Sequence, residues 1–118
     1  MSSVPSAIVL AMHGAPPTDF PKRDLGEFFS LHMRMEHGLI EQKETAQLRR
    51  RYEALETTML DWPRDEANDP FFAASHRLAD ALRRRTGLDV IVGFNEFCAP
   101  ELAEALDQAV AQRARKVL

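Results

Sequence analysis

Residues Ala7 to Met12, AIVLAM, are apolar at every position. A strand with one face in water alternates apolar and polar residues, because successive side chains point to opposite sides. A run without alternation marks a strand buried on both faces, as in a parallel sheet covered by helices. A short buried helix segment is the competing reading. The run ends in His13-Gly14-Ala15-Pro16-Pro17, and residues 13–22 contain three prolines and one glycine. That punctuation predicts a loop and bars helix continuation.

The second strand is expected in LDVIVGFNEF, Leu88 to Phe97, with β-branched Val90, Ile91 and Val92 at its centre. Its regular part is expected over about residues 88 to 95. Between the two strands the pattern is helical. From Asp24 to about His37, Leu25, Phe28, Phe29 and Met33 share one face, and Gly38 suits a C-terminal cap. A longer helix is expected from about Glu41 to Leu60, with Leu48, Tyr52, Leu55 and Met59 as its apolar stripe. Glu44, Arg50, Arg51 and Glu53 lie off that stripe. DWPRDEANDP, Asp61 to Pro70, is a polar break. Asp69-Pro70 there predicts the cap and first turn of a third helix carrying Phe71, Phe72, Ala74, Leu78 and Leu82. That helix ends in Arg83-Arg84-Arg85 before Gly87, basic residues and a glycine that suit a helix C-terminus.

After the second strand, APELAEALDQAVAQRARK predicts a helix with Pro100 in its first turn and Leu102, Leu106 and Val110 inward. Lys116-Val117-Leu118 begins a third strand. Strands separated by helices imply parallel pairing through right-handed crossovers. The expected fold is α/β and three-layered: a parallel sheet with helices on both faces and a long helical insertion after the first strand. Residues 1–118 form one domain, with no repeat or low-complexity tract.

Composition narrows the function classes. The formal net charge is -3, whereas a general nucleic-acid binder needs surplus Lys and Arg. No apolar run reaches the roughly 20 residues of a membrane helix. MSSVPSAIVLAM has no Lys or Arg ahead of its short apolar stretch, so no signal peptide is expected. Cys98 is the single cysteine, which excludes an internal disulfide and fits a cytoplasmic protein.

In an open parallel sheet, ligands gather beyond the carboxyl ends of the strands. His13 terminates the first strand and Glu96 lies at the end of the second. If the strands are neighbours, both can point into one crevice. A neutral imidazole and a carboxylate can bind a divalent transition metal, and the same pair can move protons. The plainer reading makes His13 a loop residue and Glu96 a helix cap. No HExxH, CxxC, P-loop or GxGxxG pattern competes. His32, His37 and His76 read as surface or boundary residues, Met12, Met33, Met35 and Met59 as core filler, and Trp62 as packing at the end of the second helix. Arg49–Arg51 and Arg83–Arg85 read as solvated faces, or as guanidinium groups that steer an acidic substrate. Cys98 reads as a small buried hydrophobe near the crevice.

IVLAMHGAP, together with VIVGFNEFCAPELAEALDQAVAQRARKVL, resembles the CbiX-type class II tetrapyrrole chelatases, the sirohydrochlorin chelatases. The likeness covers roughly residues 7 to 15 and 88 to 118: a buried strand ending in His-Gly, then a strand, a Glu, a Pro and a small-residue helix leading to Lys-Val. WPRDEANDPFFAASHRLADALRRRTG also looks like the segment before the second strand in some relatives. The resemblance implies a lyase without a resident cofactor that inserts cobalt or ferrous iron into a tetrapyrrole such as sirohydrochlorin. His13 would bind the incoming metal and help remove pyrrole protons, and Glu96 would assist at the metal and in proton transfer. The family's cleft lies between two similar lobes, so one lobe implies a homodimer.

Three features depart from that pattern. Ala15 stands where many relatives have a small polar residue, and the helical stretch from Asp24 to Leu60 is longer than the minimal form. Relatives also continue past the point matching Leu118 into a strand and a second active-site histidine, so the resemblance implies a lobe truncated at its C-terminus. The alternatives are a non-catalytic metal- or tetrapyrrole-binding lobe, and an interaction domain that pairs through the helices of residues 24–60.

Overall fold

The computed structural model describes residues 6–38, 42–112 and 116–118. The expected helix start at Glu41, the side chain of Glu44 and the helix end over residues 113–115 lie outside them. Among the described residues three strands, β1 (Ser6–Met12), β2 (Asp89–Phe94) and β3 (Lys116–Val117), form one sheet in the order β2-β1-β3. Both pairings are parallel, with Ala7 opposite Asp89 and Met12 opposite Phe94 on one side of β1, and Ser6 opposite Lys116 on the other. The ladder on the β3 side continues through Val9 N–H to the Leu118 carbonyl at 2.8 Å.

The described residues form the helices α1 (Lys22–Glu36), α2 (Gln42–Leu60), α3 (Pro70–Thr86) and α4 (Leu102–Ala111). α3 and α4 cover opposite faces of the sheet. Ile8, Leu10 and Met12 of β1 pack with Val90, Val92 and Phe94 of β2 against Phe72, Ala79 and Leu82 of α3. Ala7, Val9 and Ile91 pack against Ala105 and Ala109 of α4. The unalternated run of β2 is thus explained, since Val90 to Phe94 are buried; β1 is covered only in part, with Ala7 buried, Ala11 exposed and the rest half-buried, short of the expected burial on both faces. No helix among the described residues is long and apolar enough to cross a membrane.

Local chemistry sets the helix ends. The Asp69 carboxylate accepts the Phe72 N–H at 2.9 Å, which caps α3 ahead of Pro70 at its first position. Gly87 closes α3 in the left-handed region, φ 69°. α1 and α2 form a helical hairpin with a separate core of Phe20, Phe28, Leu31, Leu55 and Met59. Trp62 meets Phe20 edge-on at 5.0 Å and closes the end of that core, as its sequence position predicts. The radius of gyration is 17.5 Å, against roughly 13–14 Å for a compact chain of this length. The molecule is accordingly elongated, 61 × 33 × 19 Å.

Several sequence expectations need correction. α4 begins at Leu102, not in a turn containing Pro100; Pro100 lies in the preceding loop, after a cis peptide bond. Its inward residues are Ala105 and Ala109, both fully buried, while Leu106 and Val110 are exposed. The reason is close approach. A β-carbon on Gly93 of β2 would lie 2.8 Å from the Ala105 β-carbon, so only small residues fit between helix and strand. α3 likewise buries Ser75 and Ala79 and exposes Phe71 and Leu78. In α1 the buried pair is Phe28 and Leu31, and Met33 is exposed rather than core filler. β2 stops at Phe94, so Asn95 to Phe97, including Glu96, belong to the loop that follows.

Candidate functional site

The carboxyl ends of β1 and β2 lie side by side. Asn95 N–H donates to the Met12 carbonyl at 2.8 Å, so the chain leaves both strands in register. One residue further on, the backbones touch. A β-carbon on Gly14 would sit 1.6 Å from the Glu96 carbonyl oxygen, so only glycine lets the two loops approach this closely. The expected juxtaposition of His13 and Glu96 at one sheet edge is therefore present in the backbone. Their side chains divide: both residues are exposed, Glu96 lines the main cavity of this region, and His13 is not among its lining residues.

A buried guanidinium holds these loops together. The Arg64 side chain is 2% exposed and donates to Asp69 Oδ2 at 2.7 Å, to the Ala15 carbonyl at 2.6 Å and to the Met59 carbonyl at 2.7 Å. It also donates to the Phe97 carbonyl. One cation thereby ties the loop after β1, the end of α2, the cap of α3 and the loop after β2. Five donors in a planar fork allow this, which a lysine could not reproduce. The cavity residue Phe97 is held in the left-handed region, φ 67°, a conformation that a bulky residue adopts only when its surroundings enforce it. Here the carbonyl is fixed by Arg64 and the ring meets Phe28 and Phe29 edge-on at 6.3 and 5.7 Å.

The cavity lies between the α1–α2 hairpin and the loop after β2, and its volume is about 210 Å³. Its apolar wall is Phe28, Met59, Leu60 and Phe97, and its polar groups are His32, Tyr52, Glu56, Asn95, Glu96 and Glu101. Phe28 and Tyr52 stack at 5.1 Å with their planes 12° apart, and His32 stacks on Phe28 at 6.3 Å. Tyr52 donates its hydroxyl proton to Glu56 Oε2 at 3.0 Å, and its oxygen lies 3.1 Å from His32 Nδ1. Burial, followed by the hydrogen bond to Glu56 and by the Glu56, Glu36 and Glu101 charges, pushes the Tyr52 hydroxyl up to about 12. Burial also raises the Glu101 carboxyl, and the neighbouring Glu56 and Glu104 charges add to it.

The cavity residues His32, Tyr52, Glu56 and Glu101 carried little signal in the sequence. Tyr52 reads as part of an apolar stripe and His32 as a surface or boundary residue. The available clue was the spacing of Tyr52 and Glu56, one helical turn apart beside Met59. Among the described residues no group of three or more His, Cys, Asp or Glu is placed to hold a metal ion together. Cys98 is buried on the α3 side of the sheet, as a small hydrophobe, with burial pushing its thiol up to about 11. Of the arginine runs, Arg51 forms a two-pronged pair with Glu27 at 2.8 and 2.9 Å, and Arg83 bonds Asp80 and the Val90 carbonyl. Both serve structural contacts in this chain.

No family model, no curated protein and no solved structure matches the chain. Fold and cavity alone define its class: an α/β chain whose described residues form a three-stranded parallel sheet, with a cavity between the α1–α2 hairpin and the loop after β2.

Proposed function

We propose that this chain is a chelatase-type lobe that inserts a divalent metal, cobalt or ferrous iron, into a tetrapyrrole such as sirohydrochlorin. The observation that carries the reading is the shared exit of His13 and Glu96 from neighbouring parallel strands, locked by the contact of Gly14 with the Glu96 backbone. In the proposed reaction the tetrapyrrole lies across the rim formed by the two loops. The cavity of about 210 Å³ is smaller than the roughly 300–1,000 Å³ of ordinary ligand pockets, so the macrocycle covers it rather than entering it. His13, exposed at the rim, offers an imidazole nitrogen to the incoming metal. Nitrogen and oxygen donors in small number suit an ion that must be released again, unlike a closed thiolate cage. Glu96 assists the metal from the cavity side and accepts protons. As the metal binds the four nitrogens, two pyrrole N–H bonds break, and the protons pass to basic groups at the rim. The helical hairpin of α1 and α2, inserted after the first strand, forms one wall of this cleft. A second copy of the chain completes the other wall, as a homodimer acting in the cytoplasm.

A second reading is a lobe that binds the metal or the tetrapyrrole without catalysis. Its tetrapyrrole-binding form is the one favoured, since it needs no three-ligand metal cluster and none is placed among the described residues. The two readings separate in one experiment: sirohydrochlorin and Co²⁺ are mixed with the purified protein and followed by absorbance. Conversion faster than in protein-free buffer supports the chelatase. A spectrum of bound but unmetallated tetrapyrrole supports the carrier.

A further inference from the structure

The cavity holds a hydrogen-bonded chain that the reading above does not use. It begins at Glu56, inside the cavity, passes through the Tyr52 hydroxyl at 3.0 Å and reaches His32 Nδ1 at 3.1 Å. Its outer end is accessible. The His32 side chain is 43% exposed, and its Nε2 lies 3.7 Å from Glu36 Oε1, which is more exposed still. All three side chains line the cavity, and the chain runs along its wall to His32, whose exposed side also faces the outer surface of the helical hairpin. Its geometry is fixed by packing rather than by the bonds alone, because Phe28, Tyr52 and His32 are mutually stacked. Tyr52 is well suited to the middle position. It faces the carboxylates Glu36, Glu56 and Glu101, all of which oppose its ionisation, so it stays a neutral hydroxyl able to donate and accept at once.

We infer that Glu56, Tyr52 and His32 form the route by which protons released in the cleft leave it. This inference rests on the chelatase reading, which supplies both the protons and the need for a route, since a planar ligand across the rim shuts the cavity from water. Insertion of M²⁺ into the free-base macrocycle yields the metallated macrocycle and two protons. For each proton, a pyrrole N–H bond breaks and an O–H bond forms at the Glu96 carboxylate, which lines the same cavity as Glu56 and hands the proton on to the Glu56 carboxylate. The Tyr52 hydroxyl, which donates to Glu56 at rest, turns its proton toward the unprotonated His32 Nδ1; the protonated Glu56 then donates to the Tyr52 oxygen as the Tyr52 proton moves to Nδ1. His32, on the tautomer that carries hydrogen at Nε2, passes that hydrogen to Glu36 or to water. Each residue returns to its starting protonation state once the hydroxyl and imidazole turn back, and no oxidant or reductant is consumed.

The test uses Co²⁺ and sirohydrochlorin with the full chain and three variants: Tyr52→Phe, His32→Gln and the double variant. Tyr52→Phe keeps the ring that stacks on Phe28 and removes only the oxygen, and retained circular dichroism and melting behaviour verify the fold. The inference predicts a fall in kcat of roughly tenfold or more for each single variant, with the KM for tetrapyrrole unchanged. The double variant is no slower than the slower single one, since both interrupt one path. The wild type shows a solvent deuterium isotope effect on kcat that Tyr52→Phe alters, which a merely structural role would not produce. Wild-type rates and isotope effects in Tyr52→Phe would overturn the proton route and leave the chelatase reading standing. A wild type that inserts no metal would overturn that reading, and the route with it.

Discussion

Gly14 and Glu96 share a contact that no side chain at position 14 can accommodate: a β-carbon there would lie 1.6 Å from the Glu96 carbonyl oxygen and 2.8 Å from its carbonyl carbon. The obstacle is backbone, so it cannot swing aside as a rotamer would. Gly14→Ala is expected to push the two loops apart, at a cost of at least the roughly 1–3 kcal/mol of ordinary overpacking. Urea unfolding reads that loss. Crystals of the variant should show the loops after β1 and β2 separated. An unchanged midpoint would mean that the contact is not maintained in solution.

Asp69 has two tasks, capping α3 and neutralising buried Arg64. Asp69→Ala leaves a guanidinium that is 2% exposed without its counter-charge. Breaking a buried pair from one side costs about 3–5 kcal/mol. Chemical denaturation should register a loss of that size, far above the about 1 kcal/mol of a cap alone.

Tyr52 is the sole tyrosine, so its ionisation can be followed directly by ultraviolet absorbance. It is expected to titrate at about 12 in the folded protein, against an ordinary value near 10. The sign of the linkage follows. Between those two values the unfolded chain gives up a proton that the folded chain keeps. Stability is fully present below pH 10 and falls as pH rises through this window. Tyr52→Phe should remove that part of the alkaline loss. A midpoint near 10 in the native protein would contradict the burial and the bond to Glu56.

Cys98 should resist thiol reagents. Burial foremost, with Asp69 adding and Arg64 opposing, pushes it up to about 11, so the thiolate is scarce at neutral pH. Labelling by a disulfide reagent at pH 8 is expected to be slow in buffer and fast in denaturant.

What could be read from the sequence was set by pattern and by chain order. The two unalternated runs specified parallel strands, buried in β2 and half-buried in β1, and Asp69-Pro70 and Gly87 marked both ends of α3. The inward face of α4 could not be read in the same way. Hydrophobicity favours Leu106 and Val110, but the approach of Gly93 admits only Ala105 and Ala109, and that distance is a tertiary fact. The sheet edge shared by His13 and Glu96 was legible because both follow apolar runs. The cavity was not, since it joins α1, α2 and the loop after β2 through residues far apart in the chain. Arg64, which ties the loops of the site together, sits in a polar break whose composition looks like any solvated loop.

Metal insertion by the proposed His13 rim is read by absorbance-monitored insertion of Co²⁺ or Fe²⁺ into sirohydrochlorin by the wild type, His13→Ala and Glu96→Gln. His13 is exposed, so its loss removes no core volume and the fold should persist. Insertion is expected by the wild type, none by His13→Ala, and a milder slowing in Glu96→Gln. Equal rates in His13→Ala and the wild type would contradict the role proposed for His13.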